Sequence, residues 1–249
     1  MTAADGHSTA AHEQPTEEHG HEHRDVSGGW LRPAVFGAMD GLVTNVSLIA
    51  GVGAGVAGSS SSQNFIVLTG LAGLAAGAFS MATGEYVSVS SQNELVQAEV
   101  RKERHELEHN LESERQELAD MFRSRGVDPE LADQVASQLS AQPGHGLDFH
   151  VREELGIDPG ELPSPITAAG ASLITFAIGA LIPLIPYLAG YDSLATALGL
   201  AAVAAFVGGG IVARLTDRPF LRGALRQLLL GTFAAGLTYL IGHLVGTRI

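Results

Sequence analysis

The 249-residue chain contains no cysteine, one tryptophan, four methionines and a single lysine, Lys102. Without cysteine there is no disulfide framework, no thiolate metal site and no cysteine nucleophile, so a bound metal must take oxygen, nitrogen or thioether donors. Charge is also scarce. Only 16% of residues are Asp, Glu, Lys or Arg, and positions 41–84 carry none. A charge-free stretch of that length, in a chain of mean hydropathy +0.19, points to membrane spans rather than a water-soluble domain. The first 25 residues, MTAADGHSTAAHEQPTEEHGHEHRD, lack the apolar core of a cleaved signal peptide. They read as a disordered tail over 1–30, and His7, His12, His19, His21 and His23 make it either a weak metal binder or simply a solvated segment.

What charge there is lies in blocks. Of the 27 acidic residues, 17 fall between 90 and 164 and 6 between 1 and 29; Asp40, Glu85, Asp192 and Asp217 complete the set. With a net charge of -13, no nucleic-acid partner is expected. A span needs about 20 apolar residues. Five are expected: near 34–57, 65–89, 166–190, 193–213 and 224–246. The expected fold is therefore all-α and polytopic, with two helices in 31–89, a cytoplasmic acidic helical segment over 90–164, and three helices in 165–249. Arg24 and Arg32 precede the first span, and Arg214, Arg218, Arg222 and Arg226 surround the last connection. By the positive-inside rule these ends, the N-terminus and the acidic segment face the cytoplasm. Thirteen of the fourteen basic residues are Arg and Ala and Gly abound, which suggests a bacterium with a GC-rich genome; with no recognisable organelle-targeting signal, the cell (inner) membrane is expected.

Residues 37–52, GAMDGLVTNVSLIAGV, place a carboxylate in an otherwise apolar helix. An ionised acid in the hydrocarbon layer costs at least about 2.5 kcal/mol, which makes Asp40 a functional-site candidate by default. Asn45 and Ser47 follow it, and Glu85 lies one turn from Met81 in SMATGEYVSVSSQ of the second span. Because that span returns to the cytoplasm, the two acids are expected at similar depth, paired around one cation. A thioether beside a carboxylate suits a transition metal.

In ELVQAEVRKERHELEHNLESERQELADMF, read as one helix from Glu94, residues Glu99, Glu103, Glu106, Glu114 and Glu117 share an arc of about 80°. A divalent cation would turn their mutual repulsion into ligation by Fe2+, Mn2+, Mg2+ or Ca2+. Asp128 and Pro129 signal the start of a second helix, and a third, LDFHVREELGID, carries His150 and Glu154 four residues apart. Two other patterns are decoys. His105–His109 reads HELEH, the zinc-protease helix, without an evident third ligand or substrate cleft. Gly53, Gly55 and Gly58 spell GxGxxG without a strand before them. A ferritin-type di-iron site lacks its second Glu-x-x-His pair. No enzyme is expected.

GAMDGLVTNVSLIAGV, AGAFSMATGEYVSVSSQNEL and an acidic helical insert before three further spans closely resemble the vacuolar iron transporter family, over about residues 31–247. The resemblance implies a homodimer of five-helix protomers that exports Fe2+, with Mn2+ and Zn2+ as further candidate ions, from the cytoplasm in exchange for protons. Iron would be substrate and bound ion, with no prosthetic group. It implies a path through Asp40, Asn45, Met81 and Glu85, and metal ligands Glu103, Glu106, Glu114, Glu117, His150 and Glu154. His150 and Val151 stand where the family carries a Met pair, which should shift preference away from the softest ions and make binding more pH-sensitive. The alternative is a membrane-anchored sensor or buffer that binds iron without transporting it.

Overall fold

A computed structural model describes residues 29–57, 62–141, 145–154, 156, 158 and 160–246, with the side chains of His145 and Glu154 outside that description. The expectations about the His-rich tail therefore concern residues beyond it. Among the described residues the chain is helical throughout: α1 (Leu31–Gly55), α2 (Ser62–His109), α3 (Leu111–Ser124), α4 (Pro129–Ser140), α5 (His145–Glu154), α6 (Pro165–Leu181), a 3-10 turn (Ile182–Leu184), α7 (Ile185–Leu188), α8 (Leu194–Leu215) and α9 (Phe220–Gly246).

Five helical stretches are long and apolar enough to cross a membrane: α1, the first part of α2, Pro165–Leu188, α8 and α9. Their starts carry the expected chemistry. Ser164 caps α6 by accepting from the Thr167 amide at 3.3 Å, with Pro165 at the first helical position. Ser193 does the same for α8 through Thr196. Pro183 has no amide hydrogen to continue α6, and the helix tightens there into the 3-10 turn before α7.

Close contacts through small residues fix the helix directions. A Cβ on Gly37 would meet Ser172 and Thr175, one on Gly41 the Phe176 carbonyl, and one on Gly179 the Ala38 carbonyl, so α1 and α6 run parallel. Gly51 meets Thr238 and Gly246 meets Gly55, which makes α9 parallel to α1. Gly73 lies against Asn45 and Leu48 while Gly70 lies against Leu184, so α2 runs the other way, as does α8, with Gly208 against Met39 and Gly53 against Leu194. The start of α1, the end of the acidic segment and the α8–α9 connection thus share one end of the bundle. Backbones this close gain van der Waals contact that lipid does not offer, the general rule for small residues between membrane helices. The outer surface is apolar: Leu68, Phe79 and Phe233 are 67%, 67% and 72% exposed. Apolar surface on that scale belongs against lipid or another chain.

Two expectations are corrected here. The second span does not stop at 89; α2 continues to His109 as a single rod of 48 residues, about 72 Å long. Leaving an apolar environment does not end a helix, and Glu, Arg, Lys, Leu and Gln beyond residue 93 are all good helix formers. Conversely, the acidic helix is not continuous through 122. It breaks at Asn110, whose φ of -129° and ψ of 35° are not helical, and α3 begins anew at Leu111. Beyond the break α3, α4 and α5 form a small unit of their own. Leu118, Ala119 and Ala136 are its core, with Phe122 and Phe149 packed at 5.4 Å between ring centroids. Asp128 caps α4 through the amides of Glu130 and Leu131, and Arg123 ties α3 to α4 through Asp133 at 2.6 Å.

Candidate metal centre and membrane path

Glu103 on α2, Glu114 on α3 and His150 on α5 converge. His150 Nδ1 lies 3.2 Å from Glu103 Oε1 and 3.8 Å from Glu114 Oε2, and one donor atom from each residue falls within 4.8 Å of the others. The three side chains are 14%, 11% and 0% exposed. Ions bound at about 2.0–2.2 Å keep neighbouring donors roughly 3–4 Å apart, so the observed spacing accepts one with small side-chain adjustments. Two carboxylates and an imidazole form a mixed oxygen and nitrogen set, suited to Fe2+, Mn2+, Zn2+ and similar borderline or hard ions. Stripped of water, two carboxylates this close repel unless a cation or a proton joins them.

The convergence does not follow the helical arc expected from the sequence. Glu114 reaches Glu103 because the chain turns at Asn110, and at that turn Asn110 Nδ2 donates to Glu106 Oε2 at 2.6 Å, with Glu106 outside the three-residue cluster. Glu117 is exposed, and Glu99 is partly exposed with Lys102 at 3.9 Å. The Glu154 side chain lies outside the described residues. Val151, at the other position where the resemblance implies methionine, is fully buried and packs rather than ligates. Asn110 is the residue that sequence reasoning missed. Its only signal was an Asn, a weak helix former, in a run of strong ones.

The membrane residues lie along the bundle axis in a different arrangement from the expected pair. The ring of Phe176 abuts Gly77 of α2 while its carbonyl abuts Gly41 of α1, which puts Asp40 at about the height of Gly77–Ala78. Met81 is then about 5 Å, and Glu85 about 11 Å, nearer the end that bears the acidic segment. The acids are staggered rather than level. Met81 packs against Ala78, Phe176 and Ala180, the cluster that joins α2 to α6. Asp40 is partly buried and accepts a long hydrogen bond of 3.4 Å from Thr44 Oγ1. Among the described residues neither Asp40 nor Glu85 has an ion pair with a basic side chain. Asn45 is fully buried and donates through Nδ2 to the Ala180 carbonyl at 2.5 Å, beside the break in α6, while its Oδ1 has no hydrogen-bond partner.

HELEH has no proteolytic geometry. Glu106, the would-be base, is held by Asn110, and among the described residues both His105 and His109 are solvent-exposed. GxGxxG likewise lies at the end of a membrane helix: Gly53 and Gly55 are within α1.

Comparison with known proteins gives a consistent picture. Residues 31–243 match the VIT family. The chain is 36% identical over 235 residues to a vacuolar iron transporter of Acanthamoeba castellanii, covering 92% of this chain and 84% of that protein. It is 30% identical to vacuolar iron transporter 1 of Oryza sativa subsp. japonica over 254 residues, 99% of each chain. Vacuolar iron transporter 1 of Arabidopsis thaliana is 27% identical over 92% of this chain and 91% of its own length. These relatives come from an amoeba and from plants, and give no support to a specifically bacterial subtype.

Proposed function

The chain belongs to the VIT family, and from that membership we propose that it is a divalent metal transporter that moves Fe2+ out of the cytoplasm. One observation carries this reading: α2 is unbroken from Ser62 to His109, so Met81 and Glu85 of the membrane path and Glu103 of the carboxylate–imidazole cluster stand on one rod. Glu85 and Glu103 are 18 residues apart, about 27 Å along the helix. A cation gathered between Glu103, Glu114 and His150 would meet Glu85, then Met81, then Asp40, each an uncompensated or soft donor. Asn45 stands beyond Asp40 with an oxygen still to satisfy. An acid in a membrane without a basic partner must bind either a cation or a proton, and alternation between the two is proton antiport. Mn2+ is a second substrate on the same ligand chemistry, and Zn2+ a third ion that the donor set would hold.

Five spans place both the acidic segment and the arginine-rich α8–α9 connection at one end of the bundle, and positive-inside bias assigns that end to the cytoplasm. The protein acts as a homodimer in which the apolar outer surface is shared between lipid and a second copy. The named relatives are vacuolar; composition favours the bacterial cell membrane for this chain, and export from the cytoplasm is the same direction in either setting.

Proteoliposomes with a metal-quenched dye inside test the function. Wild-type protein should give Fe2+-dependent quenching that speeds up when the lumen is acidic, and Asp40→Ala should abolish it. A buffer or sensor, the other class of reading, would bind Fe2+ and give no flux under any gradient. Normal flux by Asp40→Ala would remove Asp40 from the path.

A further inference from the structure

The HELEH motif leaves a pair of histidines that neither the carboxylate cluster nor the membrane path uses. His105 and His109 sit four apart in the last turn of α2, both exposed, with ring centroids 4.1 Å apart. His109 Nδ1 lies 2.9 Å from the His105 carbonyl oxygen. A carbonyl only accepts, so Nδ1 carries the hydrogen and Nε2 keeps its lone pair, the tautomer that metal-ligating histidines adopt when their other nitrogen is held.

We propose that His105 and His109 form a second transition-metal site, on the face of α2 opposite the Glu103–Glu114–His150 cluster. The imidazoles project at about 200° and 240° from Glu103 around the helix, which rules out sharing one ion with it. Glu103 is nearly buried while both imidazoles face water. α2 ends at His109, so the C-terminal end of its dipole puts partial negative charge under the pair. Glu108, exposed and three residues beyond His105, offers an oxygen from the adjoining position. Arg101, Lys102 and Arg104 are the basic neighbours on the preceding turn, and Lys102 is drawn towards Glu99 at 3.9 Å. Two neutral imidazoles with water completing the shell select Cu2+, Ni2+, Zn2+ and Co2+ over Mg2+ and Ca2+. The buried cluster, with two carboxylates, leans the other way. One helix thus presents a harder site on its packed face and a softer one on its wet face.

This inference stands independently of transport, and its test reads binding. Cu2+ capped by nitrilotriacetate has few open positions and favours paired imidazoles. The full chain in detergent, with His7, His12, His19, His21 and His23 of the tail all replaced by Gln so that they cannot compete, should bind one equivalent of that complex, which His105→Gln and His109→Gln each weaken by at least about tenfold, since loss of either donor removes the chelate. Electron paramagnetic resonance should show nitrogen coupling from two imidazoles falling to one. Glu103→Gln with His150→Ala should retain the equivalent. Both rings are exposed, so the single variants should elute and melt as wild type does. The site is refuted if either single His variant keeps the equivalent at unchanged affinity, or if the equivalent disappears with the Glu103 and His150 substitutions instead.

Discussion

Asn45 has both polar atoms inside the bundle, and only its amide group has found a partner, the Ala180 carbonyl beside the break in α6. A hydrogen bond between membrane helices contributes about 0.6 kcal/mol on average, and an unmet buried oxygen costs more than that. Asn45→Ala should therefore destabilise the bundle only modestly, by about 1 kcal/mol, most of it from the small cavity left behind; a melting curve in detergent measures it. Glu103 has a different kind of importance, because its carboxylate shares one buried space with Glu114 and His150. Glu103→Gln should weaken Fe2+ or Mn2+ binding at least tenfold, since even partners that only orient a ligand are worth about 10–100-fold; calorimetric titration of the full chain reads the change. Glu103 and Glu114 could be picked out from the sequence by the helical arc of acids they share, and His150 by its spacing and by the place the family resemblance gives it. The diversion of Glu106 and the burial of Val151 could not, since both depend on how α3 and α5 dock rather than on residue type.

At the scale of elements, all five spans could be found by counting apolar residues, and the observed helices begin and end within a few residues of the expected ones apart from the far end of α2. That end and the break at Asn110 were not legible, because hydropathy marks where lipid stops and not where hydrogen-bonded backbone stops. Whether the break is local or tertiary can be decided on magnitudes. Asn in place of Ala costs a helix at most about 0.7 kcal/mol. Burying Leu118, fully enclosed with Ala119 and Ala136, is worth about 2 kcal/mol for its side chain alone. Packing of α3 on α4 wins. Asn110→Ala should leave the α2–α3 turn in place and metal affinity within about threefold, whereas Leu118→Ala should cost about 2–5 kcal/mol, loosen α3 and release Glu114. Proteolysis between α3 and α4, followed alongside metal titration, distinguishes the two variants.

For the whole molecule the decisive feature is polarity along the bundle axis. α1, α6 and α9 run one way and α2 and α8 the other, so Arg32, Arg214, Arg218, Arg222 and Arg226 gather at the end from which α2 projects its acidic half. Direction of transport rests on that end being cytoplasmic, and the absence of native cysteine makes the question directly accessible. Ser113→Cys labels the start of α3, Ser193→Cys the connection at the opposite end, and both replace hydroxyls on exposed or partly exposed loops and helix ends. In intact cells, a maleimide that cannot cross membranes should modify Ser193→Cys and leave Ser113→Cys untouched; after permeabilisation both should react. The reverse pattern would put the carboxylate–imidazole cluster outside, where it would collect ions for uptake instead of export, although every residue contact described above would stay the same.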